Sequence, residues 1–171
     1  MNKVFASGAA GLILLSASAA LPQEMPLPRK LQGALFKKIL LYDRTLEGRD
    51  EIAVHVVPGS DSGAADEMAA ALTDAGLRAS VTRPGQLAAA LESTSVVYLM
   101  PGALNPGLQE LCTSRKALSI SGVPSWAEKG SVSISLDSAD GKPVIVVNVR
   151  RARAEGHELS AQLLRLAKVV Q

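Results

Sequence analysis

The stretch E-I-A-V-H-V-V-P-G-S-D-S-G-A-A-D-E-M-A-A-A-L-T-D-A-G-L-R-A-S-V-T, Glu51 to Thr82, changes its hydrophobic pattern twice. Glu51 to Val57 is apolar, β-branched and of strand length, and Pro58-Gly59 ends it. Ala65 to Ala75 is alanine-rich and helical, with Gly76 placed as its C-terminal cap. Leu77 to Thr82 returns to strand. A strand, a helix and a second strand joined this closely predict a βα crossover, because parallel strands need a connection long enough to return along the sheet.

Working outward, the alternation continues. Pro84 opens a helix over Gly85 to Leu91, since proline suits the first helical position. Ser95 to Met100 (S-V-V-Y-L-M) is the continuous apolar run of a strand buried on both faces. Asn105-Pro106 starts a helix that carries Cys112, and Ala117 to Ser121 is a fourth short strand. Upstream, Leu31, Leu35, Ile39 and Tyr42 recur at near-helical spacing and predict a helix over Lys30 to Tyr42. After Trp126 the pattern changes. Ser131 to Leu136 alternates polar and apolar, Pro143 to Val149 is strongly β-branched, and Asp140-Gly141 between them has hairpin turn chemistry. A short helix with Arg150, Arg151 and Arg153 on a solvated face should stop at Gly156. Ser160 should cap a final helix whose Leu163, Leu164, Ala167 and Val170 form one apolar stripe, with Arg165 and Lys168 opposite and Lys168 near the helix C-terminus. The sequence therefore predicts one α/β domain of three layers: a mostly parallel sheet ending in a C-terminal antiparallel hairpin, with helices on both faces.

The first twenty residues bear on location. Lys3, a short apolar run and the small residues Ala17-Ser18-Ala19 have the three parts of a secretory signal peptide over 1–20, cut after Ala19 or Ala20. The apolar run is shorter than a membrane-spanning helix requires. No cysteine follows it, so the reading is an exported, periplasmic protein that is neither a lipoprotein nor inserted in the membrane after cleavage. Residues 21–29, with Pro22, Pro26 and Pro28, form an extended leader, and 30–171 is the folded domain. The formal charge is only +2 and loses Lys3 on cleavage, so neither charge nor compartment suggests nucleic acid as a partner. Cys112 is the lone cysteine and forms no disulfide within the chain; its helical spacing with Leu108 and Leu111 suits a small buried apolar residue.

Few residues suggest chemistry. The loop Gly59, Ser60, Asp61, Ser62 and Gly63 follows a strand and precedes a helix, where an open α/β sheet can hold an anion. The simpler reading, expected at any helix start, is a turn in which Asp61 or Ser62 caps the helix. His55 and His157 have no cysteine, histidine or carboxylate at metal-ligand spacing, so no metal site is expected. No nucleophile elbow or nucleotide fingerprint appears, so no catalytic residue and no cofactor is predicted. Trp126 is either a binding anchor or a core lid.

The C-terminal third carries a specific resemblance. The run A-L-S-I-S-G-V-P-S-W-A-E-K-G-S-V-S-I-S-L, the Asp140-Gly141 turn and V-N-V-R-R-A-R-A-E-G-H-E-L-S-A-Q-L-L-R-L-A-K-V-V resemble the YfiR family of periplasmic proteins. Val123, Pro124 and Trp126 match its V-P-x-F segment, and Gly130 its first glycine. Asn148, Ala152, Gly156, Ser160, Leu163, Leu164, Leu166 and Ala167 fall in register with the remaining motif. Ser131 replaces the second glycine, and the family's paired cysteines are reduced to Cys112, so a disulfide switch does not carry over. The resemblance implies a non-enzymatic regulator that binds the periplasmic region of an inner-membrane signalling protein, as a monomer or a homodimer. That partner would be a diguanylate cyclase or a sensor kinase, in cyclic-di-GMP and biofilm signalling. The alternative reading is a periplasmic module that binds a small ligand or a cell-wall fragment.

Overall fold

The structure is a computed structural model that describes residues 25–92 and 94–171; the predicted signal segment and its cleavage site lie outside them. Helix α1 spans Arg29–Leu40, and a 3-10 turn follows at Arg44–Leu46. The crossover predicted from Glu51 to Thr82 is present as β1 (Ala53–Val57), α2 (Ser62–Asp74) and β2 (Arg78–Val81). Next come α3 (Pro84–Ala90), β3 (Val96–Leu99), α4 (Pro106–Arg115), β4 (Leu118–Ser121) and α5 (Pro124–Glu128). The chain closes with β5 (Ile134–Ala139), β6 (Lys142–Asn148), α6 (Val149–Ala154), α7 (Ala161–Leu166) and β7 (Lys168–Val170).

These strands form one sheet in the order β2-β1-β3-β4-β5-β6-β7. Pairings are parallel from β2 to β5, antiparallel between β5 and β6, and parallel again between β6 and β7. The hairpin turn has both Asp140 and Gly141 at positive φ, 52° and 73°, the pairing a two-residue type I′ connection needs. One correction concerns the end of the chain. The last segment is not one helix running to Val170: α7 stops at Leu166, and Lys168–Val170 adds a seventh strand, so the sheet does not end in the antiparallel pair. The proposed stripe is therefore divided, with Leu163 in the core and Val170 on a strand, and Lys168 is not at a helix terminus. A lysine and two β-branched valines beside the unpaired edge of β6 gain ladder hydrogen bonds that a short helix could not match.

Helices cover both faces. On one face α1, α2, α6 and α7 bury Phe36, Met68, Leu72, Ala152 and Leu163 against Val54, Tyr98, Ile120, Ile134 and Val147. On the other, α3, α4 and α5 bury Leu87, Leu108, Cys112 and Trp126 against Val57, Val97, Leu99 and Val146. Phe36 meets Tyr98 edge to face, with ring centroids 5.7 Å apart. Helices α1 and α2 approach so closely that a side chain on Gly33 would collide with the Ala71 carbonyl. Asp61 and Asn105 cap α2 and α4, each accepting a backbone N–H with its side-chain oxygen.

The leader is more than an extended tether. Leu27 is buried, and its carbonyl accepts a hydrogen bond from the buried Gln32 side chain at 2.8 Å. The Tyr98 hydroxyl donates to Gln32 Oε1 at 2.7 Å, and burial pushes its pKa well above the ordinary tyrosine value. Gly122 has no side chain at this junction, where a Cβ would meet Gln32, Met25 and Tyr98.

Candidate functional site

Four serines, Ser119 and Ser121 on β4 with Ser133 and Ser135 at β5, are all buried. Their alternation with apolar residues does not mark a solvated face. Each hydroxyl instead finds an acceptor, as a buried polar group must. Ser121 Oγ donates to Leu99 O and Ser135 Oγ to Pro124 O. The other two serve Glu155, a fully buried carboxylate just after α6. Oε1 accepts from Ser119 Oγ at 2.7 Å and Arg151 Nε at 2.7 Å; Oε2 accepts from the Ser119 backbone N–H at 2.8 Å and Ser133 Oγ at 2.5 Å. Arg151 is thereby drawn off the solvated face expected for the three arginines, with 14% of its side chain exposed, whereas Arg150 and Arg153 stay exposed. A second donor of Arg151 reaches Gln109 O and ties α6 to α4.

Beside this cluster, His157 bridges two segments far apart in sequence. Its Nδ1 lies 2.5 Å from Asp43 Oδ2 and its Nε2 3.2 Å from Lys116 O. Around that pair the Arg44 N–H donates to Glu158 O, the Glu158 N–H to Thr45 Oγ1, and the Ser160 N–H to Tyr42 O. Gly156 makes this approach feasible. Its φ of +78° is the left-handed conformation that favours glycine, and a Cβ there would press on the Lys116 side chain. The end of α1 is thus clamped to the C-terminal segment.

Some of the motif positions lie around this cluster and others stand apart from it. Asn148 is buried; its Oδ1 caps α6 by accepting from the Arg151 N–H, and its Nδ2 donates to Ala127 O on α5. Val123 precedes α5 as its cap residue and Pro124 opens it, with Trp126 buried among the residues of the second face. Gly130 has φ +72° and faces Asn148. Ala152 and Leu163 enter the core of the first face, Leu164 and Ala167 pack at its margin, and Ser160 caps α7. Leu166 points outward and is 65% exposed.

The loop Gly59 to Gly63 lies at the opposite end of the molecule's strands, after β1, where the strand order reverses between β1 and β3. Such a switch point is the usual ligand crevice of an open α/β sheet. In this chain the loops after β1 and β3 touch backbone to backbone: a Cβ on Gly59 would overlap the Pro101 carbonyl, and Gly102 sits against Ser60. Asp61 Oδ1 accepts from the Ala64 N–H at 3.1 Å, so a carboxylate of the chain itself occupies the start of α2. His55 Nδ1 lies 3.0 Å from Thr82 Oγ1 on the neighbouring strand segment. Burial, with a contribution from Arg78, holds the His55 pKa below 6.5. Cys112 is buried, and burial, reinforced by Glu155, pushes its thiol up to about 12. Among the described residues no group of three histidine, cysteine or acidic residues is placed to hold a metal ion, and no helix is long and apolar enough to cross a membrane.

Sequence reasoning missed Glu155 and the Asp43–His157 pair. The local signals were the placement of Glu155 and His157 on either side of a glycine and the four-residue spacing of Arg151 and Glu155; the serine partners of Glu155 lie 22 and 36 residues away and Asp43 lies 114 residues from His157.

The architecture is that of an open α/β domain whose buried polar side chains clamp its own C-terminal segment. The family is specific: a family model described as YfiR/HmsC-like (DUF4154) matches residues 32–168, and the chain belongs to that family. Among curated proteins, no sequence matches this chain. Two solved structures share the fold. One is a conserved domain protein from Vibrio cholerae O1 biovar El Tor, with a TM-score of 0.60 and 15% identity. The other is an ABC domain in complex with L-Trp from Streptococcus pneumoniae, with a TM-score of 0.57 and 14% identity. The alignments cover 84% of this chain and 60% of each of those, so the chain spans less than two thirds of their lengths, and at these identities the likeness concerns the fold alone.

Proposed function

We propose that this chain is an exported, non-catalytic regulator that binds the periplasmic region of an inner-membrane signalling protein, a diguanylate cyclase or a sensor kinase, and thereby changes its output. The observation that carries this reading is family membership over residues 32–168, nearly the whole of the folded domain. The use of the buried polar groups supports it. Glu155, Asp43 and His157 are each committed to partners within the chain, an arrangement suited to holding a surface rather than to turning over a substrate. Regulation of this kind is a population shift, and its size equals the difference in affinity for the two states of the partner.

The test is genetic and biochemical together. Deleting the gene in its host should change cellular cyclic-di-GMP or the phosphorylation of a response regulator, and periplasmic crosslinking should recover one membrane protein with a signalling domain. Neither change nor recovery, with the chain expressed and exported, would remove the proposal. Retention of the uncut chain in the cytoplasm would remove the export component separately.

A further inference from the structure

Beside the motif residues, cationic side chains outnumber the anionic groups. A depression of about 360 Å³ lies between the end of α5 and the start of α6; its lining includes Lys129, Gly130, Asn148, Arg150 and Arg151 and, as anionic groups, Glu128 and the main-chain carboxylate of Gln171. An adjoining depression of about 480 Å³ shares Arg150 and Gln171 and adds Val149 and Arg153. Glu128, the side-chain carboxylate in the first wall, is engaged by Lys168 Nζ at 2.6 Å. Lys129, Arg150 and Arg153 make no ion pair among the described residues. The whole chain carries a formal charge of only +2, so this concentration is local.

Arg151 gives the depression a fixed element. Its Nε is held by Glu155 and one terminal nitrogen, Nη2, by Gln109 O. Its other terminal nitrogen, Nη1, has no bond to the protein among the described residues and is not enclosed away from solvent. A guanidinium anchored in this way is oriented before a ligand arrives, which reduces the ordering cost of binding. Arg150 and Lys129, both exposed, line the same depression, the first offering a guanidinium fork and the second a point charge.

We propose that this groove binds a compact anion bearing two or more carboxylate or phosphate groups. The volume is at the small end of the range for ligand pockets, which runs from about 300 to 1,000 Å³. Several cations on separate elements favour more than one anionic group, each taking charge-assisted hydrogen bonds. The inference does not depend on the regulatory reading, because it concerns a ligand site and not the membrane partner.

The experiment is a titration of the folded, signal-free protein with pyrophosphate and, separately, with citrate, at constant ionic strength, read by amide chemical shifts and by calorimetry. Saturable binding is expected, with shifts concentrated at Lys129, Gly130, Arg150 and Arg151. The double charge reversal K129E/R150E should weaken it about tenfold or more, the worth of one charge-assisted hydrogen bond. Reversal at the exposed hairpin residue, K142E, should leave it unchanged. Both variants alter exposed side chains, and a melting curve confirms that each remains folded. Preference for citrate or pyrophosphate decides between carboxylate and phosphate ligands. Shifts that fail to saturate, that spread evenly over exposed lysines and arginines, or that survive K129E/R150E overturn the proposal. So does binding only by an acidic peptide and by neither small anion.

Discussion

Replacing Glu155 by glutamine should destabilise the domain by more than its small chemical change suggests. Each carboxylate oxygen accepts two hydrogen bonds, and one donor at each oxygen cannot rotate to become an acceptor. At Oε2 this is the Ser119 backbone N–H; at Oε1 it is Arg151 Nε–H. A glutamine amide directs its NH₂ at one of them whichever way it is flipped, so a buried donor faces a donor. The charge that holds the half-buried Arg151 is also lost. A buried group left unsatisfied costs about 1–3 kcal/mol, and a charge-assisted bond contributes about 1.5–3 kcal/mol. Because the losses share one site they do not add, and we expect about 3 kcal/mol for E155Q and about 3–5 kcal/mol for E155A. At about 2–4 °C per kcal/mol for a domain near 150 residues, E155Q should lower Tm by roughly 6–12 °C. Urea unfolding followed by circular dichroism, with thermal melts alongside, measures both. E158Q breaks the exposed Arg44–Glu158 pair and should cost under about 0.5 kcal/mol. If E155Q falls within about 0.5 kcal/mol of the parent with an unchanged m-value, the cluster does not hold the fold as argued.

Three further predictions use the same physics. Gly33→Ala should destabilise by about 1–3 kcal/mol, because its methyl collides with the Ala71 carbonyl and separates α1 from α2; an unchanged denaturation midpoint would contradict that close approach. The Cys112 thiol, pushed up to about 12 by burial, should react with a disulfide reagent at neutral pH only as fast as the protein opens, and at once when unfolded; rapid labelling of the native chain would show an accessible thiolate. His55 has a folded pKa below its ordinary 6.5, so between those values the unfolded chain binds more protons, and stability should fall as pH drops through that window. Melts at pH 7.5 and pH 5 should differ less for H55Q than for the parent, and an equal difference would remove His55 as the source.

The candidate site was only partly legible before folding. Asn148, Gly130 and Gly156 stand out in sequence because a cap and two turns need those residue types, and each is found doing such work. Glu155 does not stand out, since a glutamate in an arginine-rich segment looks like one half of a surface pair. Its burial depends on Ser119 and Ser133 arriving from two other strands. The serines of β4 and β5 are ambiguous for the same reason: alternation reports which side of a strand a residue faces, not whether that side meets water. Trp126, open in sequence between anchor and lid, is enclosed in the second core.

The sequence by itself determined the class of fold. Its strands and helices alternate with clear local signals at Pro58-Gly59, Gly76, Pro84, Asn105-Pro106 and Asp140-Gly141, because capping and turn chemistry act within a few residues. The tertiary structure decided what depends on distant neighbours. Lys168–Val170 became a strand because the free edge of β6 offered hydrogen bonds to a segment with weak helical preference. Glu155 and His157 became buried because donors and acceptors from elements remote in sequence made up for the water they gave up. A local code fixes where elements begin and end; the desolvation of a charge is settled only when every element around it is in place.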